Sequence, residues 1–530
     1  MAIKRLTIPH IFGGRAASQY FADEGSFDAS VAVDPDLPII STDTRTSGFA
    51  VPVGYAVFSG ANVTSHVVSI INNPKNTLTY VVLSNGRLIS YNSSLASETL
   101  IGTCAGGTAS SAFYYNNYIY ILGTGASTDD VSRYGPLNNS PTLADNVWKG
   151  ATLGSQTALT NTTYPTLRSV SIPNHVGTVH GDGTAYFTDF KDGQGLIHKI
   201  STIKGTDEGD TNGTVVPSLY NALDLPFGFY PTDIESYGTS LLITGISTTD
   251  TTINQGRASF ILWDPTDTIS FYLGPVLLPD PLCTAALNAN GIMYLFSGNA
   301  SNGVRVSKYL GGESVSDIAY LEEGMPPFAP AVDALGNRIV WGGFTSYPTT
   351  GSAVWAYGSK DNRLPAGIQH IAKGSGAGTT PIVTALKFVQ QSSNVTPKVV
   401  LASRDGTGSQ IDQYSTTATL TSRMRWMFNV GGGFEIHKLK LRFAGAVATN
   451  TSITPTLYFD DYSSSVALTA VNTTNYTASQ RKIIYRGAEM KNCRGKNNFA
   501  LELAWGSSNP LPVAFPIEIE IDVKDDEKTE

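Results

Sequence analysis

Charge is scarce in this chain: Asp, Glu, Lys and Arg make up only 15% of its 530 residues. Coiled coils and long exposed helices keep a charged face in water, so this composition excludes both. The 43 acidic and 35 basic residues leave a formal charge of −8. That is no footprint for gripping nucleic acid or an anionic membrane, although a weakly acidic wall lets DNA pass without holding it. Cysteine is rarer still. Cys104, Cys283 and Cys493 lie far apart and share no metal-type spacing with each other or with a His pair, which argues against a zinc knuckle and a disulfide framework. Three buried thiols are the expectation. There is no apolar run long enough for a spanning helix, so no membrane insertion is expected. Met1–Phe12 has two early basic residues but neither an apolar stretch nor a small-residue cleavage site, so it does not read as a signal peptide; the chain is expected to be soluble and made in the cytoplasm. Its Asn-x-Ser/Thr sequons then reflect polar loops.

What the chain has in quantity is Gly (52), Tyr (25) and much Thr, Ser and Asn, with 41% hydrophobic residues. β-Branched and aromatic side chains suit pleated surfaces, and Gly and Asn suit tight turns, so the fold class is all-β. One unit recurs along residues 60–415: a Gly- or Asn-containing turn, a short apolar strand, a polar loop, and a second strand ending at an aromatic. Its copies include TYVVLSNGRLISYNS (79–93), GTAYFTDFKDGQGLIHKIS (183–201), NGIMYLFSGNASNGVRVSKYLG (290–311) and PKVVLASRDGTGSQIDQYS (397–415). The spacing, roughly 50 residues, is in the range of propeller blades. Asn85-Gly86, Asp192-Gly193 and Asn290-Gly291 tolerate the positive φ of a hairpin turn. Runs such as Tyr118–Leu122 and Ile292–Phe296 are apolar on both faces, as inner strands stacked between blades must be. An irregular β-propeller of six to eight blades over residues 51–418 is therefore expected, with 136–182 as an outer strand plus an elaborated loop.

The two ends differ. Residues 1–50 lack the repeat and carry Pro9, Gly13, Gly14, Pro35 and Pro38, which reads as an extended arm that reaches a neighbouring subunit or closes the ring of blades. Beyond about residue 420 strict alternation takes over, at Ile436–Phe443, Phe499–Leu503 and Ile517–Val523. Period-2 patterns with one polar face belong to strands packed on one side only. Residues 419–524 are therefore expected to form a jelly-roll-like β-sandwich, followed by a charged tail, 525–530, that guards an edge strand.

Candidate chemistry is thin. Asp189, Asp192, Asp264, Asp333 and Asp405 could supply the two carboxylates of a propeller glycosidase, yet no spacing singles out a pair and Asp is an ordinary turn residue. Ser403–Thr407 only echoes a sialidase-type Asp box. Asp210 and Asn212 open with the rhythm of a calcium loop, but Leu219 stands where its terminal Glu belongs; Asp460-Asp461 is a further weak metal candidate at a strand end. Gly374–Gly378 lacks the Lys and the helix of a phosphate loop. His175 and His180 are not at metal spacing. The basic clusters at Arg423–Arg425, His437–Arg442 and Arg481–Lys496 read as the polar face of a sandwich. Tyr114, Tyr115 and Trp341 read as core, and Tyr347, in a Ser-Tyr-Pro turn, as a possible ligand contact. No cofactor and no enzymatic activity are expected.

Ile11–Gly14, then Ser18-Gln19, then Phe27-Asp28 resembles the opening of tail nozzle proteins of short-tailed double-stranded DNA phages, departing from it by Arg15-Ala16-Ala17. The texture of uneven propeller plus terminal sandwich is similar to the same family. The resemblance implies a virion tail protein: a homo-oligomer, a sixfold ring for preference, held by arm residues Phe12, Gly13, Gly14, Ser18 and Gln19, contacting portal and adaptor and conducting DNA without specific binding. The alternatives are a receptor- or carbohydrate-binding tail adhesin and a polysaccharide-degrading enzyme.

Overall fold

The structure is a computed structural model. It describes residues 2–8, 14–15, 26–27, 29–31, 37–38, 47–49, 54–57 and 62–523, the last less short stretches of which 138–148, 153–165, 202–217, 249–255, 359–367, 374–380, 391–396, 416–421 and 507–512 are the longest. Among the described residues seven sheets, antiparallel in their blade strands, stand around one axis. Their innermost strands are Val67–Asn72, Ser111–Tyr115, Gly177–Val179, Phe229–Tyr237, Leu282–Ala289, Val332–Leu335 and Ile382–Val389. Each packs on the next, and the seventh returns to the first, which makes the unit a β-propeller. The repeated hairpins supply the two middle strands of each blade, as in Thr79–Leu83 with Arg87–Tyr91 and Ile292–Gly298 with Val304–Gly311.

Each blade is apolar on both faces because it is sandwiched between two others. Val81, Leu83 and Ile89 of the first blade meet Val400, Ala402 and Ile411 of the seventh on one side. On the other side, Tyr80, Val82 and Leu88 meet Ile119 and Ile121 of the second. Trp341 and Trp355 are fully buried between the fifth and sixth blades. The blades approach closely: a Cβ on Gly342 would lie 2.4 Å from Val383 Cγ1 of the next blade. At the Asn290-Gly291 turn both residues have positive φ, 52° and 80°, the type I′ geometry that matches strand twist.

The ring closes through a distant pairing. The outermost strand of the seventh blade is Gly54–Val57, antiparallel to Asp412–Ser415, so the last blade is completed from the beginning of the chain. Polar side chains on the innermost strands stitch neighbouring blades together. Ser69 Oγ accepts from Ala112 N (2.8 Å), Ser111 Oγ donates to His175 O (2.6 Å), Thr232 Oγ1 to Cys283 O (2.6 Å) and Thr284 Oγ1 to Pro327 O (2.7 Å). Asp233 accepts from Ala286 N (2.7 Å), Asp333 from Phe388 N (2.7 Å), and Asn72 Nδ2 donates to Phe388 O (2.7 Å) across the closure. Each stitch satisfies a buried backbone group that the ladder within a blade does not reach.

The alternating C-terminal segments form two sheets around one core. In the first, Lys482–Arg486, Phe434–Phe443 and Val513–Val523 lie side by side, and Ala2–Ile8 pairs along the far edge of Val513–Val523. In the second the order is Ser422–Asn429, Asn498–Trp505, Ile453–Phe459 and Ser464–Ala467, with Ala29–Val31 on the outer edge. Ile517, Ile519 and Ile521 are fully buried together with Ile436, Leu439, Leu501 and Trp505, and Ile8 joins the same core. The intervening acids face out and meet the basic residues of the next strand: Glu520 binds Lys438 (2.8 Å) and Arg5 (3.2 Å), and Glu518 binds Lys440 and Arg442. The N-terminal strands therefore serve both units: Gly14-Arg15 also extends the sixth blade, in parallel with Ile368.

Ile8→Ala should destabilise the C-terminal unit rather than the propeller, by about 2–5 kcal/mol for an emptied buried site. Hydrogen exchange checks this, the expected outcome being faster exchange along Val513–Val523 and unchanged protection in the blades.

Candidate functional site

Two cavities lie where the innermost strands converge on the axis. The larger chamber, about 370 Å³, is walled by all seven inner strands. A smaller one, about 230 Å³, lies toward the blade ends that carry His66, Ser84 and Asn174. Pro330, in the 3-10 turn Ala329–Ala331, lines both. That turn packs against the inner strands of the first, fifth and seventh blades, so it crosses the axis as a septum. The short hairpin Thr166–Leu167 and Val170–Ser171 contributes Val170, with Ile172 just beyond it, to the smaller chamber, and Leu167, Val170 and Ile172 share one buried core with residues of the third to seventh blades.

The larger chamber concentrates charge in a chain that has little. Asp233 and Glu235 alternate along one inner strand, and Asp333 and Lys387 stand on the sixth and seventh blades. Lys387 Nζ holds Asp333 Oδ1 at 2.8 Å. Asp233 Oδ1 accepts from Ile234 N (2.8 Å) while Oδ2 accepts from Ala286 N (2.7 Å). Glu235 accepts from Ser236 N (3.1 Å) and is bonded by the Thr178 side chain. Among the described residues neither Asp233 nor Glu235 has a cation of its own. Burial pushes the Asp233 carboxyl up to about 7 against those two N–H bonds. Burial and then the charge of Asp233 push Glu235 up to about 8, with Lys387 only partly offsetting them.

Of the acids singled out from sequence, Asp333 lines this chamber and the other described ones fall elsewhere. Asp189 is buried inside the third blade, with His198 Nε2 at 2.9 Å, His175 Nδ1 at 3.5 Å and Phe190 N at 2.7 Å. Burial opposes its charge, but the His198 hydrogen bond, the charges of both imidazoles and the Phe190 N–H outweigh it and hold the carboxyl below its usual range. Asp264 caps its own turn through Thr266, and Asp405 ends the strand Lys398–Asp405. The described acids of this set occupy separate blades and no two of them share a chamber, so these candidates do not supply two facing carboxyls. His180 Nδ1 accepts from Asp182 N (3.3 Å) within a turn.

Asp460 Oδ1 accepts from Lys496 N (2.8 Å) and Asn497 N (3.1 Å), and Asp461 Oδ1 accepts from Asn498 Nδ2 (2.9 Å). Asp460, Asp461 and Tyr462 all have positive φ, so the pair builds a tight turn. Among the described residues no three His, Cys, Asp or Glu side chains are grouped as a metal site would need. Arg423 meets Glu502 at 3.4 Å, and Arg425 lies over the Tyr462 ring at 4.3 Å. Trp341 and Tyr115 are core. The three cysteines are buried thiols outside any disulfide, and burial pushes the Cys493 thiol up to about 11. Gly14 pairs with Ser26 and Ile368, whereas Phe12, Gly13, Ser18, Gln19, Asp192, Asp210, Asn212, Tyr347 and Gly374–Gly378 lie outside the described residues. Sequence reading passed over Asp233, Glu235 and Lys387. Two acids two residues apart inside the strand FYPTDIESY were the available signal.

No protein-family model and no curated protein sequence matches this chain. Solved structures do match. The WD40 domain of Pan2 from Neurospora crassa is 10% identical over 70% of this chain and 96% of that one, with a TM-score of 0.38. The β-propeller domain of Cps50 (Swd1) from Myceliophteria thermophila is 10% identical over 68% and 99%, TM-score 0.41, and the Dos1 propeller 11% identical over 71% and 87%, TM-score 0.38. These structures are β-propellers, one of them a WD40 domain, and none is a phage tail protein; against that finding the expectation of a tail conduit is corrected. The physical reason is that Gly/Asn turns and doubly apolar hairpins are what any stacked-blade ring demands. That texture reports blade packing and carries no information about a virion. Among the described residues no helix is long and apolar enough to cross a membrane.

The raised carboxyls set a pH dependence. Asp233 and Glu235 bind protons more tightly folded than unfolded, so their contribution is fully present below about pH 4 and is lost as pH rises through about 7 to 8. The Tm should therefore fall between roughly pH 4 and 8 and level off above that, and Glu235→Gln, which keeps an acceptor for Ser236 N, should flatten that fall in scanning calorimetry.

Proposed function

We propose that this chain is a non-catalytic binding module in which the propeller offers its axial chamber to a cationic group, an ammonium or a guanidinium carried by a ligand. The observation that carries this reading is the imbalance of the chamber: three carboxyls face one lysine, and that lysine is committed to Asp333 at 2.8 Å. Asp233 and Glu235 resist ionising because they are buried, and among the described residues no cation pairs directly with either to offset that burial. A cation entering the chamber would lower both pKa values, release protons and regain the Coulomb energy that burial now withholds.

The C-terminal unit supports a finer reading as a jelly-roll-like sandwich, over the 419–524 span expected from sequence. Its strands cross repeatedly between the two sheets along the chain, and Ala2–Ile8 adds a strand to the first sheet. On this reading the propeller, 51–418, is an insertion between the first strand of the sandwich and the rest, which makes the sandwich a base from which the propeller is presented.

n-Butylamine should raise the Tm at pH 8 in thermal titration, and n-butanol should not. Glu235→Gln should weaken the amine effect at least tenfold in concentration, as the loss of a charge-assisted contact requires. Equal responses to amine and alcohol would refute the proposal.

A further inference from the structure

The smaller chamber has the opposite character, and its entrance holds a surplus of hydrogen-bond donors. Its walls are mostly apolar, among them Val67, Val68, Ala109, Ile172 and Phe328. At its edge His66 and Ser84 face the cavity, and Arg404 reaches them from the seventh blade. Two donors converge on one imidazole nitrogen: Ser84 Oγ lies 3.0 Å and Arg404 Nη1 3.1 Å from His66 Nδ1. The Ser65 hydroxyl touches that of Ser84.

A ring nitrogen has one in-plane lone pair and can accept one strong hydrogen bond. If Ser84 takes it, an Arg404 N–H is left over; if Arg404 takes it, Ser84 turns to Ser65 and the Ser65 proton points away. Either way one donor of the cluster faces outward. Arg404 Nε is spent on Gly406 O at 2.7 Å, and no carboxylate pairs with this guanidinium among the described residues. His66 does not relieve the surplus. Burial and then the positive charge of Arg404 push its pKa down to about 4, so the imidazole stays neutral.

We infer that this second chamber binds a small carboxylic acid, with the carboxylate received by Arg404 and the Ser65/Ser84 hydroxyls and the apolar body lodged against Val68, Ala109, Ile172 and Phe328. A carboxylate has the acceptor lone pairs that the donor cluster lacks and the charge that Arg404 lacks. The size limits the body: at about 230 Å³ the chamber is smaller than the pockets that hold drug-sized ligands, about 300–1,000 Å³. This site is separated from the axial cation chamber by Pro330 and stands independently of it.

Hexanoate, acetate and hexan-1-ol, titrated into the full chain by isothermal calorimetry at pH 7, test the inference. Hexanoate should bind at least tenfold more tightly than either of the others, since only it offers both charge and apolar body. Arg404→Gln should cost hexanoate at least tenfold and leave hexan-1-ol unchanged. Ala109→Leu, which fills the chamber and leaves Arg404 in place, should abolish hexanoate binding, and Glu235→Gln should leave it unaltered. Equal binding of hexanoate and hexan-1-ol would reduce the site to an apolar void, equal binding of hexanoate and acetate would reduce it to a surface anion site, and no binding at all would sink it; each outcome overturns the proposal.

Discussion

Everything in the propeller depends on closing the ring. A blade has two apolar faces and no solvent-facing alternative, so an open series of seven would leave an oily surface at each end. The closure is secured at two levels. Gly54–Val57 completes the seventh blade by pairing with Asp412–Ser415, and Asn72 Nδ2 bonds Phe388 O where the first and seventh inner strands meet. Both joins link residues more than 300 positions apart, so loop-closure entropy must be met before any of the inter-blade core is gained.

Closure also explains why polar and charged side chains sit on the axis of an otherwise apolar fold. Where inner strands of adjacent blades converge, backbone groups at their ends lack a partner within their own sheet. Ser69, Ser111, Thr232, Thr284, Asp233 and Asp333 supply it from the neighbouring blade. Asp233 and Asp333 are thus structural stitches and chamber walls at once. Their carboxyls are fixed in position by backbone N–H donors, a preorganisation that spares a ligand the cost of ordering them. The two chambers follow from the same crowding: the turn at Ala329–Ala331 crosses the axis, so polar and apolar spaces are kept apart.

The N-terminal strands tie this ring to the C-terminal unit. Ala2–Ile8 and Ala29–Val31 lie on edges of the C-terminal sheets, Gly14-Arg15 extends the sixth blade and Gly54–Val57 closes the seventh. An edge strand left bare invites pairing with another chain, and each of these segments covers one. The ion pairs of Glu518 and Glu520 with Lys438, Lys440, Arg442 and Arg5 consume most of a basic cluster that might otherwise have suggested nucleic-acid contact.

Much of the fold was legible along the chain because hairpins and alternating strands are local: the doubly apolar run Tyr118–Leu122, the turn at Asn290-Gly291 and the alternation Ile517–Val523 each encode their own burial pattern within a few residues. The sites were not legible, because Glu235 and Lys387, or His66 and Arg404, belong to different blades and meet only when the ring closes. Asp189 shows the converse: conspicuous as an acid in sequence, it is buried inside its own blade between two imidazoles. By itself the sequence determined an all-β chain of stacked hairpins followed by strands with one polar face, since those depend on periodicity and turn chemistry. Only the tertiary structure decided which carboxyls lack a cation and which arginine lacks an anion, since charge balance is set by neighbours in space that the linear order does not bring together.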